Sequence, residues 1–388
     1  MSLTDEQLQD YRHIRETALR FMTEEVKPHY AAWEKRGYVD RALWRKAGDM
    51  GLLCTMTAEE YGGLGGSFLH AAAVLDAIGS SDCALLGLST HSDIIVPYIE
   101  RLGTADQKRR YLPGCVRGEI ITAIAITEPD AGSDMRRTRT RAVRDGDDWI
   151  INGSKTFITN GWLADLVLVV AGTPSDASPH AKSLFLVETT NPGFRKGRLL
   201  EKVGQKAQDT AELFFDDLRV GADSLLGAEG NGLHYLMQEL PQERLIVGVW
   251  AQAIAERIFD LTLAYVADRK AFGSTLMQLQ AIRHRLAEVR ADLAAGRSLL
   301  DASVEKHLAR KLTTADASIA KLWLSEMQIR VIDRCLQCFG GNGYMWEYPV
   351  ARAYADARAQ TIYGGTTEIM KEIIARDLDA RAGNKPAV

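Results

Sequence analysis

IITAIAITEPDAGSD, Ile120–Asp134, is where the chain changes texture. Before it, Leu8, Tyr11, Ile14, Arg15 and Ala18 recur at helical spacing, mostly apolar, and Thr4 with Gln7 resembles a capping box. Residues 41–50, 68–79 and 83–102 repeat the pattern between glycine-rich breaks. From Ile120 to about Val220 the signals are short β-rich runs instead: ITAIAIT, WIING, TFITNG, LVLVVAG, SLFLVE and AELFFDDLRV. Asp145-Gly146 and Asn152-Gly153 are hairpin-type dipeptides, and PSDASPHAK (174–182) is a surface loop. After Leu225-Leu226-Gly227 the helical period returns and persists. Helix, strand and helix in blocks predict an α+β arrangement with domains at 1–119, 120–229 and 230–388.

The 388 residues carry a net charge of −4, which gives no reason to expect nucleic acid as a partner. No run of about 18 apolar residues exists, so no membrane span is expected. MSLTDEQLQD fits neither a secretory signal nor an Arg-rich transit peptide, and the five cysteines suit a reducing compartment; the expectation is cytoplasmic. Cys335-Leu-Gln-Cys338 has metal-ligand spacing but no second pair or nearby histidine, so no metal is expected.

Neither GxGxxG opening a βαβ unit, nor GxxxxGK[ST], nor GxSxG, nor HExxH is present. Three glycine-bearing segments remain. Ile124–Asp134 is a strand running into a turn rich in hydroxyls and N–H groups, which can hold an anion or a polar ring edge, or be a plain strand end. Gln337–Tyr344 (QCFGGNGY) allows close backbone approach to a ligand, or ends a helix. Ile362–Met370 (IYGGTTEIM) looks like a loop that holds something, yet offers no base.

Taken with NGSKTFITNG and DRKAFGSTLMQLQ, these segments in this order resemble the acyl-CoA dehydrogenase family over essentially the whole chain. The resemblance implies a helical N-terminal domain, a central β-domain and a C-terminal four-helix bundle, assembled as a homotetramer with FAD between β-domain and bundle. Ile124, Ala125, Ile126, Thr127, Gly132 and Ser133 match positions along the flavin ring, Ser133 also abutting the substrate. Phe157, Ile158 and Thr159 match the stretch covering the other flavin face, with Phe157 where many members have Trp. Arg269, Phe272 and Gln280 match positions reaching a neighbouring subunit's FAD, and Gln337, Cys338, Gly340 and Gly341 match contacts to its adenine half. Thr366 and Glu368 match the loop beside the diphosphate.

The family's reaction needs a base for the α-proton of an acyl-CoA, and in many members it is a glutamate directly after the tyrosine of the terminal loop. Here that position is Gly364. In the long-chain and isovaleryl branches the base sits on a bundle helix, followed by arginine; Glu243-Arg244 matches that arrangement. Pro241 would begin or kink this helix. Ile246, Val249, Trp250, Ala253, Ile254, Ile258 and Leu261 form its inward stripe, so Glu243 is either a pocket carboxylate or a first-turn acid favoured by the helix dipole. Gly364 and Gly365 would grip the thioester through the backbone. His234 replaces a tyrosine near the substrate and, with Arg244, completes the expected substrate contacts. The implied reaction is FAD-dependent desaturation to trans-2-enoyl-CoA, with the long-chain branch most similar and an electron-transfer flavoprotein as acceptor. The alternatives on this fold are an acyl-CoA oxidase or an acyl-carrier-linked dehydrogenase.

Overall fold

The computed structural model describes residues 4–83, 86–174 and 178–383. Six α-helices come first: α1 (Asp5–Phe21), α2 (Tyr30–Arg36), α3 (Arg41–Asp49), α4 (Phe68–Gly79), α5 (Val96–Leu102) and α6 (Ala105–Val116). Thr4 and Gln7 close the expected capping box on α1. The helix expected over 83–102 is shorter and less regular. Residues 84–85 lie outside the described set, helical structure starts at Leu88, and Thr90–Ile95 is a π-helical turn leading into α5.

Eight strands form one sheet among the described residues: β1 (Thr122–Ala125), β2 (Arg141–Asp145), β3 (Asp148–Thr159), β4 (Leu166–Gly172), β5 (Lys182–Glu188), β6 (Phe194–Leu199), β7 (Thr210–Val220) and β8 (Leu225–Leu226). The order is β6-β7-β3-β2-β4-β5-β8, with β1 parallel to β4. The β2–β3 hairpin turns at Gly146, whose φ of +65° is cheap only for glycine.

Asn152-Gly153 is not a hairpin. WIING and TFITNG are one strand, β3, and the register against β7 slips between Ile151 and Gly153. Gly153 has φ +147°, and a Cβ there would meet Thr140 Oγ1 at 2.5 Å, so the dipeptide marks a bulge under close backbone approach. Of the expected surface loop 174–182, residues 175–177 lie outside the described set.

The C-terminal block is α7 (Gly232–Asp268), a short hairpin β9 (Lys270–Ala271) and β10 (Ser274–Thr275), then α8 (Gln280–Leu308), α9 (Thr314–Phe339), α10 (Pro349–Ala357) and α11 (Thr367–Arg381). Pro241 neither starts nor ends α7, which runs through it for 37 residues. Every residue from Arg244 to Ala255 is buried, so the expected one-sided stripe is part of a helix enclosed all round. Trp250, Ile254 and Ile258 share a core with Phe68, Leu69 and Leu75 of α4 and with Leu293, Leu324 and Met327 of the bundle. Burial on both sides outweighs the roughly 3 kcal/mol cost of an interior proline. No helix among the described residues is long and apolar enough to cross a membrane.

Candidate active site

The strand end Ile124–Thr127 and the bulged end of β3 lie side by side. Thr156 N–H donates to Thr127 O at 2.9 Å. Lys155, fully buried, donates through Nζ to Ile126 O and to Glu128 Oε1, both at 2.9 Å. Glu128 also accepts from the N–H groups of Arg139 (2.6 Å) and Thr140 (3.0 Å). Burial pushes the Glu128 carboxyl up, but the Lys155 ammonium and these donors outweigh it and hold it below its ordinary value. The turn carrying Gly132 and Ser133, both exposed, is thereby tied to β3.

Between Lys155 and Ile158 the register against β7 slips again. That second bulge turns Phe157 outward at φ +59° and 68% exposed, while Ile158 stays buried. An exposed aromatic in left-handed backbone costs free energy, about 1–3 kcal/mol, and such outliers cluster at ligand sites. Thr159 is half-buried, and its Oγ1 accepts from Gln208 Nε2 at 3.4 Å.

Glu243 lies well inside α7, beyond the first turn, so the helix-dipole reading does not apply. Its Oε1 accepts from the hydroxyl of Tyr98, on α5, at 2.9 Å. Burial pushes the carboxyl up; Tyr98 pulls it down, the like charge of Glu239 pushes it up, and Arg244 pulls it down. The net is a value raised to about 7. Glu239, one turn back, is buried and paired with Arg101 at 2.5 Å.

Arg244 is buried and turns away from Glu243 to donate to Gly364 O (3.5 Å) and Ser318 Oγ (3.2 Å). From α9, Lys321 Nζ donates to Gly365 O at 2.7 Å. Two cations thus hold the carbonyls of the glycine loop. Among the described residues neither glycine's N–H makes a backbone hydrogen bond. A Cβ on Gly364 would meet only Val247 Cγ2, at 3.9 Å, one turn along α7 from Glu243. The position that lacks a side chain therefore faces the helix that carries the carboxylate.

Other expected contacts lie elsewhere. Thr366 caps α11, its Oγ1 accepting from Ile369 N–H, and Glu368 is exposed. Gln337 is exposed in the last turn of α9 and Gly340 and Gly341 just beyond its end, while the Cys338 side chain turns inward to Arg334 O. Arg269, Phe272 and Gln280 are exposed at the β9–β10 hairpin and the start of α8. His234 is exposed and bonded to Gln238 at 3.0 Å. Nine residues are two and a half helical turns, so it leaves α7 roughly opposite Glu243 and is not brought to the carboxylate.

The surface fits a large planar cofactor. An added Cβ at Gly132 would meet nothing within 4 Å, leaving room for a ligand at the strand end, and Phe157, two residues before Thr159, offers an exposed ring. Sequence reasoning missed Tyr98, Glu239, Lys321, Gln208 and the Lys155–Glu128 pair. Only Lys155 and Glu128 lie in quoted motifs; the others are brought in by tertiary packing, with no local signal.

Family models match residues 8–119 (acyl-CoA dehydrogenase, N-terminal domain), 123–218 (middle domain) and 230–378 (C-terminal domain). The chain is 53% identical over 367 residues to the long-chain specific acyl-CoA dehydrogenase, mitochondrial, of Sus scrofa, covering 94% of this chain and 85% of that one. It superposes on an acyl-CoA dehydrogenase from Geobacillus kaustophilus with a TM-score of 0.93 at 47% identity, covering 97% and 99% of the two chains. A glutaryl-CoA dehydrogenase from Mycobacterium smegmatis in complex with FADH2 gives a TM-score of 0.90 at 30% identity, covering 97% and 96%. With all three of its blocks matched in order, the chain belongs to the acyl-CoA dehydrogenase family.

Proposed function

We propose that the chain desaturates long-chain acyl-CoA thioesters between Cα and Cβ, with Glu243 as the base. The observation that carries this is a packed-in carboxylate raised to about 7, beside a glycine loop held by Arg244 and Lys321. Such a carboxylate takes a proton near neutrality far better than an exposed glutamate would. In the proposed step Glu243 receives the α-proton as that C–H bond breaks, and the electron pair left behind forms the Cα=Cβ bond. The N–H of Gly364 donates to the thioester oxygen where negative charge gathers. FAD, when bound, supplies the acceptor for the hydride lost from Cβ.

The residues proposed to hold FAD are the backbone of Ile124–Thr127, Gly132 and Ser133, Phe157–Thr159, and the loop at Thr366 and Glu368. Arg269, Phe272, Gln280, Gln337 and Gly340–Gly341 are proposed to serve the cofactor of a neighbouring subunit in a homotetramer. The name of the relative at 53% identity supports the long-chain preference. A cytoplasmic site of action and an electron-transfer flavoprotein as electron acceptor complete the proposal.

The test is anaerobic titration of the yellow protein with acyl-CoAs of graded length, following loss of flavin colour. Glu243→Gln should bind the thioester and leave the flavin oxidised. Reduction at the wild-type rate in that variant removes Glu243 as base.

A further inference from the structure

Tyr98 belongs to the N-terminal block, 145 residues from the carboxylate it touches. Its side chain is completely buried, and its hydroxyl donates to Glu243 Oε1 at 2.9 Å. Among the described residues no other side chain or backbone N–H donates to that carboxylate. The π-helical turn Thr90–Ile95 stands directly before α5, and such wide turns are frequent at functional sites. A buried phenol needs an acceptor, and here the acceptor is the one group proposed to move the α-proton.

We infer that Tyr98 is a positioning residue for the reaction: it holds one oxygen of Glu243 and so aims the other, Oε2, at the α-carbon. This rests on the reading of Glu243 as base. Burial and the neighbouring carboxylate push the Tyr98 phenol far above its ordinary value, so the hydroxyl stays a donor throughout and relays no proton. Its hydrogen bond stabilises the carboxylate form of Glu243. Two other charged groups act on that carboxylate: Glu239, itself paired with Arg101, and Arg244, whose guanidinium is turned to Gly364 O and Ser318 Oγ but whose charge still favours ionisation. Glu239 opposes Tyr98, since a like charge disfavours ionisation. The base is therefore set between one donor from the N-terminal block and one buried acid on its own helix.

Tyr98→Phe removes the hydroxyl and keeps the ring. In the FAD-loaded variant, flavin content and binding of a non-oxidisable acyl-CoA analogue should match the wild type. The maximal rate of anaerobic flavin reduction by a long-chain acyl-CoA should fall about tenfold. The acid limb of its pH profile should move up by roughly one pH unit, the size of one hydrogen bond to a charged group. Glu239→Gln should move the same limb down. An unchanged limb in Tyr98→Phe, or a rate loss that only tracks lost FAD, overturns the inference. If Glu243→Gln is inactive while Tyr98→Phe behaves as wild type, only this inference fails; if Glu243→Gln is active, the base reading fails first.

Discussion

Two adjacent glycines have different reasons to be glycine. Gly364 has φ +64° and open space around an added Cβ, whereas Gly365 has φ +98° and would bring a Cβ to 2.5 Å from Met370 Cε. Gly364→Ala should therefore cost only backbone strain, about 1 kcal/mol. Gly365→Ala adds more, because φ +98° lies well outside the left-handed well at about +57° that an L-residue can use and the methionine end must also shift, roughly a further 1 kcal/mol. Thermal melting of the two holoproteins should rank Gly365→Ala clearly below Gly364→Ala, and equal melting points would contradict the contrast. The sequence alone presents Gly364 as the spot where a base is missing. Geometry adds that its carbonyl is held by Arg244 and that its vacant side faces Val247, beside Glu243. Glu243 is raised to about 7, so as the proposed base it is protonated and cannot take the α-proton below that value. Wild-type flavin reduction should rise with pH through about 7 and level off above it.

At the scale of elements, β3 shows how far the sequence could be read. Its apolar and β-branched residues announce a strand, but two bulges divide it, and bulges depend on β7 and Thr140 rather than on the strand's own residues. The first looks like a hairpin from sequence; the second turns Phe157 out. Likewise Pro241 reads as a helix boundary, because its cost is local while the burial that outweighs it comes from α4, α8 and α9. The motif residues proposed to face a ligand were legible; the residues holding them were not. Lys155 and Glu128 are the strongest case, a buried pair joining β3 to the turn at Gly132 and Ser133. Removing one partner leaves an uncompensated buried group, a loss of roughly 3–5 kcal/mol. Lys155→Met should yield protein with a depleted 450-nm flavin band relative to its 280-nm absorbance, and a lowered melting point. Full flavin occupancy after gel filtration would show that the pair does not support the cofactor surface.

Seen as a whole molecule, the single chain assembles the proposed base, the glycine loop and the bulged strand ends, but leaves several family-matched residues on its outside. Phe272 is 94% exposed and Tyr344 is 86% exposed, with Met345 and Trp346 also on the surface. A phenyl ring almost wholly in water at the tip of a short hairpin is proposed as the point where a second chain docks. Arg269 and Gln280 flank the same hairpin as Phe272, so covering Phe272 with a second chain also brings their polar ends to that chain. A flat apolar contact alone would not need them; a contact that completes a cofactor site would. Light scattering of the holoprotein should accordingly give four times the 42.8 kDa chain mass. Phe272→Asp places an unpaired charge in the buried centre of that contact, so assembly and FAD retention should be lost together, and both should partly return as protein concentration is raised. A wild-type mass of one chain, or a Phe272→Asp protein that dissociates yet keeps its flavin at the wild-type affinity, would separate the hairpin from the cofactor and overturn the proposed assembly.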